Sequence, residues 1–118
     1  MINIDYEHAI DFEHCENLEV ARKRLSQITN LLNKVIAIRH GAKNQIIMEC
    51  AKYPDMCKLS WENKVIELLF LSGRAEATID LIQTYNKSDE AYQILRNKQA
   101  QVVEDTMALK KIMEVTPR

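Results

Sequence analysis

The sequence predicts an all-α protein, an antiparallel helical bundle of three long helices plus one short helix. Three observations carry that reading. Gly and Pro number only 2 each in 118 residues, several times below ordinary usage of roughly 7% and 5%, and sheets need those residues for their turns. Apolar residues recur at steps of three and four over long stretches, as amphipathic helices require. The composition, 47% hydrophobic and 28% charged, is that of a globular chain rather than a disordered one. One domain spanning residues 1–118 is expected at this length, with residues 1–16 as an acidic N-terminal head.

The first long helix is marked by Leu18, Ala21, Leu25, Ile28, Leu32 and Val35, a seam close to a heptad. His14, Ile10 and Tyr6 extend the same meridian backwards, which favours a helical start near Asp5. A second pattern competes there: Ile2, Ile4, Tyr6, Ile10 and Phe12 alternate with Asn3, Asp5, Glu7, Asp11 and Glu13, which reads as a strand or an extended arm. Arg39 and Lys43 fall on the meridian that Leu25 and Leu32 occupy, and a straight continuation would bury two charges. The helix is therefore predicted to stop near His40, with Gly41 in the C′ position.

Residues 42–53 read as a shorter helix that Pro54 ends. Asp55 or Ser60 caps the next one, predicted to run to about Tyr85. Val65, Ile66, Leu68, Leu69, Phe70 and Leu71 make it apolar nearly all round, which places Leu69 and Phe70 in the core. Ser72-Gly73 marks a kink or break. Asn86-Lys87-Ser88 reads as a corner, and the last helix runs to about Val115.

That helix carries a stripe of Ala91, Ile94, Leu95, Val102, Leu109, Ile112 and Met113, with Lys98 and Asp105 inside it at heptad spacing. Such residues either snorkel at the stripe's edge or set register against another helix. The segment Leu68–Ala77 resembles the helix-Gly-helix corner of a tetratricopeptide unit. The rest of that pattern, spaced over about 34 residues, and any internal repetition are missing. No repeat architecture is predicted.

Charge is segregated along the chain. Residues 1–21 hold six acids and no Lys or Arg, whereas residues 22–58 hold eight basic residues against two acids. Helix-dipole complementarity accounts for part of this. The functional reading pairs Asp5, Glu7, Asp11 and Glu13 with Arg22, Lys23, Arg24, Lys34, Arg39 and Lys43 of a second copy. The seam Leu18, Leu25, Ile28, Leu32 and Val35 then supplies the apolar contact, and Lys98 and Asp105 help to select the partner. The alternative reading gives the basic segment 22–58 to nucleic acid. Against it, Arg22, Lys23 and Arg24 fan around the helix, no aromatics interleave with them, and the pI is 6.3.

No phosphate loop, nucleophile elbow, zinc-protease signature or Cys-x-x-Cys pair occurs, so no enzyme and no cofactor are predicted. The one weak metal candidate is His8, Asp11 and Cys15 along one side of a helix, where zinc is the fitting ion. An acidic helix start explains the same residues more simply. Three cysteines without framework spacing fit a reducing cytoplasm. The densest apolar run, residues 65–71, is too short to cross a bilayer and contains Glu67. The sequence thus predicts a small cytoplasmic helical protein that binds another protein, as adaptor, assembly subunit, chaperone or inhibitor, and self-associates.

Overall fold

The computed structural model describes residues 6–115, and among them every regular element is helical. α1 (Glu7–Ile10) is a single turn; α2 (Leu18–Cys50) is long; a short 3-10 helix (Pro54–Lys58) follows; α3 (Trp61–Leu71) and α4 (Glu76–Val115) complete the chain. All-α is thus the fold class. Two of the helices are long, where the sequence suggested three. The alternation that begins at Ile2 lies partly outside the described residues, as does Asp5. Its described part, from Tyr6 to Phe12, forms α1 and the start of an irregular stretch.

Several predicted boundaries fall elsewhere, each for a physical reason. Helix one does not run on from residue 5: α1 ends at Ile10, and α2 begins afresh where the Asn17 side chain accepts a hydrogen bond from the Val20 amide at 2.9 Å. α2 does not stop at Gly41. The two charges on its core meridian are accommodated instead: Arg39 pairs with Asp89 at 2.8 Å, and Lys43 lies 5.4 Å from the centre of the Trp61 ring. Asn86-Lys87-Ser88 is likewise no corner. Ser88 is fully buried and its hydroxyl donates to the Tyr85 carbonyl at 2.9 Å, so it is satisfied inside the helix.

The break after α3 is real. The Gly73 amide donates to the Phe70 carbonyl and the Arg74 amide to the Leu69 carbonyl, both at 3.0 Å. That is a Schellman ending, with Gly73 at φ +65° and Arg74 at φ +58°. Ser60 caps the other end of α3, its hydroxyl accepting from the Asn63 amide.

The chain divides into two compact units, to each of which α2 and α4 contribute one part. One is Ile36–Asp89. Its core joins Ala42, Ile46, Cys50, Met56, Leu68 and Tyr85, with Trp61 tilted against Tyr85 at a ring separation of 5.0 Å. The other combines residues 6–35 with 90–115. There Ala21, Ile28, Leu32 and Val35 meet Ala91, Leu95 and Val102, and Tyr6, Ile10, Phe12 and Cys15 close over them. In that unit Gln99 reaches Thr29 of α2, while further along α4 Asp105 reaches Cys15, just ahead of α2.

Candidate interaction surface

α3 carries the surface that sequence reasoning placed wrongly. Of its apolar residues only Leu68 is buried, at 2% exposure. Leu69 is half-buried, and Phe70 is not a core residue: it is 60% exposed, with Ile66 at 52% and Leu71 at 47%. The cause is supply. α3 is 11 residues long and, among the described residues, its unit buries only the sector around Leu68 and leaves the opposite sector exposed. At 100° per residue, Ile66 and Phe70 share one face with Glu62 and Asn63, and Leu71 borders it beyond Glu67.

Beside that face lies an open groove of about 420 Å³, lined by Tyr53, Pro54, Asp55, Met56, Leu59, Glu67 and Leu71. Pro54 starts the 3-10 helix with its fixed φ, and Met56 is buried beneath it. Glu67 and Leu71, which line the groove, border the face that carries Ile66 and Phe70. The Arg74 guanidinium stands 5.8 Å from the centre of the Phe70 ring. A lone exposed apolar side chain is ordinary. Three within six residues, bordering a groove, form a patch of the kind that marks an interaction site.

The seam named for a second copy is already covered by the chain itself. Ile28, Leu32 and Val35 are buried in the core with α4, and Leu18 and Leu25 are half-buried. Lys98 and Asp105 contact the N-terminal segment of their own chain. The Lys98 ammonium donates to the Phe12 carbonyl and lies 4.2 Å from the centre of its ring. One Asp105 oxygen accepts from the Cys15 amide at 3.0 Å, and the other is 3.1 Å from His14 Nδ1. Burial opposes ionisation of Asp105, but the Cys15 amide, His14 and Lys98 outweigh it and hold the carboxyl below its ordinary value.

Three of the six basic residues make contacts within the chain. Arg24 stacks 4.8 Å from the Phe12 ring centre, Arg39 binds Asp89 and faces Tyr85, and Lys43 faces Trp61. Arg22, Lys23 and Lys34 are exposed, as are Glu7, Asp11 and Glu13. Among the described residues no ion pair joins those three acids to Arg22, Lys23 or Lys34.

The metal candidate does not assemble. With α1 ending at Ile10, His8, Asp11 and Cys15 no longer share a helix side. No group of three His, Cys, Asp or Glu among the described residues is arranged to hold an ion. Cys15 is buried and free, and burial followed by the nearby Asp105 charge raises its thiol pKa. Cys50 is also buried and Cys57 exposed, and the two are not bridged.

The sequence contained one unused signal for the surface: an apolar run too symmetric for a short helix to bury. No described helix is long and apolar enough to cross a membrane. No family model, curated protein or solved structure matches the chain.

Proposed function

We propose that the protein is a small antiparallel helical bundle that binds another protein through the exposed face of α3. The single observation that carries this reading is the exposure of Ile66, Phe70 and Leu71 on one short helix whose Leu71 also lines the groove with Tyr53 and Leu59. Its shape suits an apolar peptide or helix: an aromatic knob, two aliphatic shoulders, a groove alongside, and acids Asp55, Glu62 and Glu67 at the edge. Central aromatics in such surfaces carry a large share of affinity, while polar rims mainly orient the partner. A reducing, cytoplasmic setting suits the three free thiols. In the nucleic-acid reading the exposed Arg22, Lys23 and Lys34 would carry the contact, since Arg24, Arg39 and Lys43 have partners within the chain.

Capture from the native host, paired with light scattering on a sizing column, tests the reading. Wild-type protein should retain a partner, or a second copy, that Phe70→Asp loses while keeping its melting temperature. Phe70→Ala should weaken the same complex by at least about 30-fold, as truncating a central aromatic anchor does. Equal retention by wild type and Phe70→Asp, or none by either, would remove α3 as the binding face.

A further inference from the structure

Residues 11–17 form no regular secondary structure, yet four of them in succession are gripped by α4. Lys98 takes the Phe12 carbonyl and Gln101 the Glu13 carbonyl. Asp105 takes both the His14 ring and the Cys15 amide. Positions 98, 101 and 105 are spaced by three and four, so the three side chains rise from one face of α4. Lys98 and Asp105 are the residues that interrupt an otherwise apolar stripe. Beneath the grip, Tyr6, Ile10 and Phe12 pack against the core that α2 and α4 share, and Cys15 belongs to it at 7% exposure.

The manner of attachment separates this segment from the rest of the unit. Helices are held by ladders of backbone bonds, which break cooperatively. Residues 12–15 are fastened to α4 by side chains reaching to carbonyls, a ring and one amide, and those groups can exchange their partners for water without disturbing a single turn of α2 or α4. We infer that residues 6–17 are a releasable strap, buckled by Lys98, Gln101 and Asp105, whose opening uncovers the apolar face between the first half of α2 and the second half of α4. Its two apolar contacts, α1 and Phe12, keep it closed by default; its polar buckle makes it removable. Residues Ala21, Ile28, Leu95 and Val102 would then meet water, and the Cys15 thiol with them.

The cysteines provide the readout. Alkylation of the full chain with iodoacetamide at constant pH, followed by mass mapping of each cysteine, compares strap opening at Cys15 with opening of the other unit at Cys50. In wild type, Cys57 should react at once. Cys15 should react through an opening that depends less on urea than that of Cys50, because only the face beneath the strap is exposed. Lys98→Met and Asp105→Leu should each accelerate Cys15 by about tenfold or more, the scale of losing a hydrogen bond to a charged group, and leave Cys50 unchanged. Cys15 and Cys50 accelerating together would make the segment an inseparable part of the fold, and the inference would fail. An unchanged Cys15 in both variants would show that neither residue fastens it, with the same consequence.

Discussion

The two units treat apolar surface differently. In residues 6–35 with 90–115, the apolar seam of α2 is answered by α4, and the gap left between them is closed by the chain's own N-terminal segment. In Ile36–Asp89 the core takes one sector of α3 and leaves the other open, with Phe70 at its centre. The contrast lies in what the chain has available to pack. The first unit can spare twelve residues as a cover, and two ionisable side chains inside the stripe hold that cover in register. The second has a short helix between a proline turn and a glycine ending, and among the described residues its far side is exposed. The middle of the charge-interrupted α4 stripe is closed internally, while its end, Ile112 and Met113, is exposed, as is the far sector of α3.

The largest effect that would break this comparison lies on neighbouring positions of α3. Leu68→Ala should cost about 2–5 kcal/mol in urea unfolding, as buried leucines do. Phe70→Ala should change the isolated protein by less than about 0.5 kcal/mol. Comparable losses at the two positions would mean that α3 is buried on both sides.

Acid should act on the other unit. Because the folded Asp105 carboxyl is more acidic than the free side chain, its ionised form stabilises the segment at every pH above the free value of about 4. That contribution disappears as pH falls through the lower, folded value. A hydrogen bond from a backbone amide to a carboxylate contributes roughly 1.5–3 kcal/mol. Hydrogen exchange at the Cys15 amide should therefore lose protection in acid while Ile46, in the other core, keeps it. Equal protection of Cys15 in acid and at neutrality would show that the Asp105 charge does not hold the segment.

The glycines sharpen the account at a smaller scale, with opposite signs. Gly73 sits at φ +65°, and Gly73→Ala should cost about 1 kcal/mol by forcing a side chain into the left-handed region. Gly41 lies exposed inside α2, and nothing stands within 4 Å of an added Cβ. Gly41→Ala should therefore gain up to about 1 kcal/mol. Thermal melts of the pair check both signs; a loss at Gly41 would mean that α2 bends there.

What was legible in the sequence divides along the same physical line. Periodicity located the cores, since spacing by three and four is a local property: Ile28, Leu32, Val35, Leu95 and Val102 are all buried. The Schellman ending at Gly73 was also local, and Ser72-Gly73 marked it. Helix ends governed by distant partners were not readable. Arg39 argued for a stop at Gly41 only until Asp89, fifty residues away, accepted its charge. Asn86-Lys87-Ser88 read as a corner because the composition does not show that the Ser88 hydroxyl is satisfied by the Tyr85 carbonyl inside a continuous helix. Lys98 and Asp105 were recognised as out of place in their stripe, yet the partner they serve is an irregular segment about ninety residues earlier, with no periodicity to reveal it. Phe70 was misread for a different reason: an apolar run states what a helix would bury, and its neighbours decide how much of that is buried.

The account's central claim is that the exposed sector of α3 meets another polypeptide, and photo-crosslinking from that sector tests it most directly. Phe70→p-benzoylphenylalanine, introduced into the full chain in its native host and irradiated, should yield a discrete covalent product of this protein with one other polypeptide or with a second copy. The same substitution at Gln93, an exposed polar position on α4, should yield none. Products of equal amount from both positions, or none from position 70, would contradict the claim.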